Sequence, residues 1–292
     1  MKTVNSLSGG KTSSYIAANY PADYNVFALV RTNDKKCMFP DKKIRQIVSD
    51  RIGKEFIGTL EMDTIIYTML DLEQMIGKEI NWVSGKTFDE VISTKNTSGK
   101  IFIPNYSMRF CTVDMKIEPI SDWWLKTIAE VVEMRIGFRA NETKRAKTTI
   151  SKLNKNGNLE INKIVGQHKN GRKKWEIFEW QKPNFPLIKD NIYKDNIEEF
   201  WKDKPVRFAS FNNCVGCFHR NPILLKHMSN KEPEKFDWFN RKEQQSLIDY
   251  DGKKIKRTWK FRTTYQQIKD SLEQLSLFDD DFDDCDSGYC GL

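Results

Sequence analysis

The sequence predicts an α/β fold: a doubly wound, mostly parallel sheet with an inserted basic β-hairpin and a helical, cysteine-bearing C-terminal part. Three observations carry this. Strand-like and helix-like patterns alternate through the first half, as a parallel sheet covered by helices requires. The apolar run at 26–30 has no polar interruption, which suits a strand buried on both faces. A glycine-rich loop, Ser8-Gly9-Gly10-Lys11-Thr12-Ser13-Ser14, follows the first apolar stretch and precedes a helical pattern. Ligands of such sheets bind at the carboxyl ends of the strands, where this loop falls.

In chain order, residues 4–7 read as a strand and 12–19 as a helix that stops before Pro21. The second strand is 26–30. A helix over 41–51 places Ile44, Ile47 and Val48 on one face, and 55–58 reads as a third strand. Residues 62–76 carry Ile65, Ile66, Met69, Leu70 and Met75 at helical spacing. A long helix is expected over 117–132, with Pro119 in its first turn and Trp123 and Trp124 as core or interface residues. Residues 134–138 form the next strand. The insertion at about 147–182 holds strand-like stretches at 159–165 and 175–180 around Asn170-Gly171, a strong hairpin signal. Its tip bears Lys169, Arg172, Lys173 and Lys174, which suit either a nucleic-acid backbone or plain solvent. Helices follow at 192–201, 222–228, 232–248 and 268–275, with a turn at Asp251-Gly252. The expected division is 1–210, 211–278 and an acidic mobile tail at 279–292.

Bulk properties bound the function. The chain has 292 residues, 39% of them hydrophobic, and no run approaching the roughly 20 apolar residues of a membrane span. With no leader pattern visible, a cytoplasmic protein without a membrane partner is expected. The last fourteen residues hold six Asp and no Lys or Arg, so the rest sets 48 basic residues against 34 acidic ones. A body that basic suits a polyanion, nucleic acid being the commonest, or a merely lysine-rich solvated surface.

The loop at 8–14 can cradle a phosphate group with its backbone N–H groups, hydroxyls and Lys11. The bland alternative is a strand–turn–helix with glycines for geometry. It is not a Walker A loop, because Asn5 stands where the first glycine is needed. The six cysteines are Cys37, Cys111, Cys214, Cys217, Cys285 and Cys290. Cys214-Val215-Gly216-Cys217 forms half of a metal knuckle. A thioredoxin-like redox pair would want this motif at a helix start near the beginning of the chain. Cys37, in a lysine-rich loop, reads as incidental.

Four separated stretches resemble one family. Ser8, Gly9, Gly10, Lys11 and Ser13 match the SGGKDS loop of the PP-loop ATP pyrophosphatases and the phosphoadenylyl-sulfate (PAPS) reductase-like proteins. Arg109, Cys111, Thr112, Lys116 and Pro119 match their R-x-C-T-x-x-x-K-x-x-P stretch. Gly137, Arg139, Glu142 and Arg145 match G-x-R-x-x-E-x-x-R, and Pro186-Leu187-Ile188 matches the PLI segment. The resemblance covers roughly residues 3–220 and extends to the DNA phosphorothioation and tRNA-thiolation enzymes.

The resemblance implies an adenine nucleotide α-hydrolase-like fold and an enzyme that activates a substrate by adenylation for iron–sulfur-assisted sulfur transfer, with nucleic acid as acceptor. Ser8, Gly9, Gly10, Lys11, Thr12, Ser13, Ser14 and Gly137 would bind ATP with Mg²⁺. Lys11, Arg139, Glu142 and Arg145 would be catalytic, the arginines facing anionic groups. Thr12 departs from the usual Asp, which bears on Mg²⁺. Cys111, Cys214, Cys217 and Cys290 would hold a [4Fe–4S] cluster, or Zn²⁺ instead. The fourth position is open among Cys285, Cys290, His219 and a free iron site. A sulfur donor or a thioredoxin-like reductant is an implied partner, and a homodimer is left open. The rival reading is a reductase of PAPS or adenylyl sulfate with Cys290 as nucleophile. The non-enzymatic one is a nucleic-acid-binding module with a structural metal.

Overall fold

The computed structural model describes residues 1–94, 100–249 and 257–272. Cys285, Cys290, the turn at 251–252 and the tail at 279–292 lie outside the described residues. Six strands form one sheet: β1 (Thr3–Leu7), β2 (Tyr24–Ala28), β3 (Ile80–Val83), β4 (Val132–Arg135), β5 (Leu159–Gln167) and β6 (Lys173–Asn184). Their order is β3-β2-β1-β4-β6-β5, parallel throughout except for β5 against β6. The order reverses between β1 and β4, and that reversal opens a crevice at their carboxyl ends.

Helix α1 (Lys11–Asn19) links β1 to β2, and α2 (Lys42–Ile52) and α3 (Thr64–Ile76) lead to β3. Between β3 and β4 lie α4 (Phe88–Thr94), the single turn α5 (Phe110–Thr112) and α6 (Glu118–Thr127). Helix α7 (Thr143–Ile150) follows β4, and α8 (Pro186–Lys189) and α9 (Lys194–Trp201) follow β6. The C-terminal part is α10 (Pro222–Lys231), α11 (Pro233–Asp249) and α12 (Tyr265–Asp270). Among the described residues no helix is long and apolar enough to cross a membrane.

The two-residue period of the strands divides the core. Phe27 and Leu29 pack with Ile16, Ile65, Met69 and Trp201 on one face, while Val26 and Ala28 pack with Ile120, Trp124 and Met134 on the other. Both faces are covered by helices, which accounts for the uninterrupted apolar run. A third core joins α10–α12 to Val30, Leu60, Met62, Phe88 and Met115. The part beyond residue 210 thus shares its core with residues before it.

Several expectations are corrected. Residues 55–58 are not a strand of the sheet; Gly58 makes only isolated bridges to Thr32 and Met38. The third strand is β3, where Ile80 and Trp82 point inward and Asn81 and Val83 are only half-buried. The helix expected over 117–132 starts at Glu118, one residue from its expected start, but ends at Thr127, because Ala129 (φ +57°) turns the chain and Val132 opens β4. Pro119 has no N–H to give to the preceding turn, and a π-helical turn at Val113–Ile117 takes up the mismatch. The last helix among the described residues is α12, started by Thr264 accepting from Gln267 N–H at 3.1 Å; it begins three residues before the expected 268–275, of which 273–275 lie outside the described residues.

The expected hairpin is present and longer than its sequence signal. Only residues 181–184 of β6 pair with β4, so the rest leaves the sheet as a two-stranded ribbon with β5. Gly171 (φ +78°) closes its turn. Phe178 and Trp180 pack edge-on to Trp124 of α6. Buried Lys163 pairs with Glu118 at 2.7 Å and Asp122 at 2.8 Å, fastening the ribbon to that helix.

In the third core, fully buried Glu243 accepts the Trp259 N–H at 2.9 Å and the Tyr265 N–H at 2.5 Å. Burial outweighs these two bonds and pushes its pKa up to about 7. An acid whose pKa is raised in the fold stabilises it below the unfolded value and loses that contribution as pH rises through the folded one. Urea titrations should therefore show stability falling between pH 4.5 and 7, by up to about 1.4 kcal/mol per pH unit from this group. Glu243→Gln should flatten that slope, since its amide does not titrate over this range.

Candidate functional site

The loop after β1 is built for close approach. Gly9 has φ +81°, and a Cβ there would lie 2.5 Å from Ile65 Cγ2 on α3. Gly10 caps α1 without a side-chain bond of its own. Ser13 Oγ accepts the Ser8 N–H at 3.1 Å, shares a hydrogen bond with Ser8 Oγ at 3.0 Å and donates to the Gly10 carbonyl at 3.1 Å. Thr12, Ser13 and Ser14 are buried, and Ser14 Oγ has no hydrogen-bond partner. Lys11 is ion-paired with Glu198 of α9, and its carbonyl accepts Trp201 Nε1–H at 3.0 Å. Any phosphate reaching Lys11 competes with that carboxylate.

Across the crevice, the strand-β4 exit carries the second predicted group. A Cβ on Gly137 would stand 3.4 Å from Thr12 Cγ2 and 3.6 Å from Ser13 N, so the two loops touch. Thr12 therefore packs its methyl towards Gly137. Glu142 accepts the Arg139 backbone N–H at 2.8 Å and Arg139 Nε–H at 3.2 Å, and also pairs with Arg145. Arg145 lies over the Phe138 ring at 4.5 Å. One carboxylate thus pairs with both arginines.

The cysteines form a second, adjoining centre. Cys111, Cys214 and Cys217 line one cavity of about 50 Å³, together with Thr112, Lys116, Asn213 and His219 and the apolar walls Phe88, Phe239 and Trp259. The π-helical turn brings Cys111, Met115 and Lys116 to the same side. At the knuckle, Asn213 takes φ +66°, and Cys217 N–H donates to the Cys214 carbonyl at 3.0 Å. Gly216 is required by packing, since a Cβ there would meet Phe239 Cγ at 2.4 Å. The knuckle's carbonyls are also claimed. Arg220 donates to those of Asn212, Asn213 and Cys214, Tyr265 Oη to that of Gly216, and Lys260 to those of Phe218 and Arg220.

Desolvation governs the titrations here. Burial, and next the Cys217 sulfur, pushes the Cys111 thiol up to about 12. Burial and then Glu61 push Cys214 well above the ordinary thiol range. Burial, Arg109 and Lys260 lower His219 to about 4, which keeps its imidazole neutral at physiological pH. Its Nε2 is buried without a hydrogen-bond partner. Soft thiols with a neutral imidazole are a donor set for zinc or iron–sulfur chemistry. Among the described residues, however, no three His, Cys, Asp or Glu side chains are placed to hold a single metal ion. The thiols line a shared wall rather than meet at one point. Cys37 is apart from them, buried against the Glu234 carbonyl at 3.7 Å.

Sequence reasoning missed the link between the two centres. Residues 60–65 touch both: Ile65 lies against Gly9, Leu60 carbonyl accepts the Val215 N–H at 2.8 Å, and Glu61 bridges to Cys214. Glu61, 1% exposed, pairs with Lys116 at 3.1 Å. Glu198, Trp201 and Arg220 were missed as well; each acts through a partner distant in sequence or through backbone carbonyls, so no local motif marks it. Comparison with protein-family models, curated proteins and solved structures gives no match.

The glycines give a direct test of this geometry. Gly9→Ala should destabilise the fold by about 1–3 kcal/mol through overpacking against Ile65, with backbone strain in addition. Gly137→Ala, whose Cβ meets only ordinary contacts, should cost less than half as much. Urea unfolding of the two variants side by side checks the order.

Proposed function

We propose that this chain binds an adenine nucleotide at the Ser8–Ser14 loop and adenylates a substrate that then receives sulfur. The observation that carries the reading is the bridge at residues 60–65, which sets the loop beside the cavity lined by Cys111, Cys214 and Cys217. Neither centre alone would single out sulfur chemistry. Together they supply an anion cradle and a soft-ligand set served by one short segment.

In this reading the triphosphate of ATP lies on the amides of the loop and at the N-terminus of α1, where backbone donors and the helix dipole favour negative charge. Lys11 leaves Glu198 for the phosphates. Mg²⁺ enters with the triphosphate, because the loop offers hydroxyls and amides and no carboxylate. Arg139 and Arg145, held by Glu142, neutralise charge as a substrate oxygen attacks the α-phosphorus and pyrophosphate departs. Sulfide sulfur then takes the place of that oxygen, which leaves with AMP.

Cys111, Cys214 and Cys217 would hold an iron–sulfur cluster, which supplies soft iron sites able to carry sulfide. The fourth position falls to His219, to a cysteine beyond the described residues, or to an open iron. The excess of basic residues favours nucleic acid as the sulfur acceptor.

Lys11→Ala should lower ATP-dependent pyrophosphate release by about a hundredfold or more, the usual cost of losing a charge-stabilising donor. Cys214→Ser should lose iron and sulfide after anaerobic reconstitution, measured by metal analysis and visible absorption, while still binding ATP. A colourless wild-type protein that takes up zinc alone would overturn the sulfur-transfer reading. So would sulfite release from PAPS with a thioredoxin-like reductant.

A further inference from the structure

The β5–β6 ribbon has two unlike faces. Register pairs Lys163 with Glu176 and Ile161 with Phe178, and this face is spent on α6 through Lys163 and Phe178. The alternate residues pair Ile164 with Trp175 and Asn162 with Ile177, and point away from the helix. That outer face is bare: Trp175 is 58% exposed, Ile177 63% and Ile164 47%. Exposed large apolar side chains grouped in this way mark an interaction surface. At the tip, Lys169, Arg172, Lys173 and Lys174 are all exposed, and residues 161–175 contain no Asp or Glu.

We propose that the outer face and basic tip of this ribbon bind a nucleic-acid strand, with the tip cations on phosphates and an unpaired base stacked on Trp175. Charge complementarity selects the occupant. A protein partner would account for Trp175 and Ile177 but gives no reason for four cations in a stretch free of carboxylates. An indole beside a phosphate-tracking basic track is what single strands use, because every base presents a π face. The anchoring at Lys163 presents the ribbon as a rigid arm, which lowers the ordering cost of binding. The inference rests on the reading of nucleic acid as the acceptor and names where the chain would hold it.

The test uses the full chain without ATP or iron and reads fluorescence anisotropy of a labelled single-stranded oligouridine across a salt series. Trp175→Ala should weaken binding about 5- to 100-fold, the cost of one lost stacking contact. The double change Lys173→Glu with Lys174→Glu should reduce the slope of log affinity against log salt by about 1.4, two phosphate contacts' worth on a single strand. Both sites are exposed, and unchanged far-ultraviolet circular dichroism confirms that the fold persists. No binding by the wild-type chain at low salt overturns the proposal, as does binding that neither variant alters. Preference for a duplex with Trp175→Ala silent overturns it as well, since the stacked base is then absent. Pyrophosphate release is assayed separately, so a wild-type chain that shows ATP chemistry but no strand binding sinks the ribbon alone, and the converse sinks only the chemistry.

Discussion

One buried ion pair underlies the arrangement of both centres. Lys116 lines the cysteine cavity, and Glu61, its partner at 3.1 Å, is almost wholly out of water. A carboxylate in such a place is costly unless a cation answers it, and removing one partner of a buried pair costs about 3–5 kcal/mol. The pair therefore fixes the spacing of the two chain segments that bear it. One is the crossing at residues 60–65, which touches the glycine-rich loop at 8–14; the other is the π-helical turn that follows Cys111. The same carboxylate disfavours the Cys214 thiolate. A cation in the cavity would reverse that bias, because it makes a nearby negative charge favourable rather than costly.

Much of the fold was legible because it follows from periodicity. The loop at 8–14, helices α1 to α3 and the Asn170-Gly171 hairpin are specified by residues next to one another in the chain. Strand β3 was not, because four residues with half-buried Asn81 and Val83 give too short an alternation to separate from a loop. The stretch at 55–58 has the composition of a strand, but it lies beside the exit of β2, where Gly58 finds bridges to Thr32 and Met38 instead of a ladder. Helix α6 was misjudged at its C-terminal end, because that limit is set by Ala129, whose effect depends on backbone geometry and not on apolar spacing.

The site divides along the same line. Arg139, Glu142 and Arg145 are close in sequence, and their mutual contacts follow from their spacing. Cys111 and the pair Cys214 and Cys217 are about a hundred residues apart, yet residue chemistry marked them as candidates for one place, and they line one cavity. Glu198 opposite Lys11, and Glu61 opposite Lys116, carry no such mark. A glutamate is ordinary on any surface, and only the fold reveals that these two pair with Lys11 and Lys116.

The π-helical turn at Val113–Ile117 has a structural consequence of its own. Each residue of a regular α-helix advances about 100° around the axis, so a widened turn acts as an angular offset between the chain before it and the chain after it. Downstream, Ile120 and Trp124 keep their phase against the sheet; upstream, Cys111 is rotated into the cavity independently of them. The segment works as a phase adjuster, separating the orientation of a cavity-lining cysteine from the packing register of the helix that supports it. An insertion or deletion within this turn would re-aim Cys111 without repacking the core.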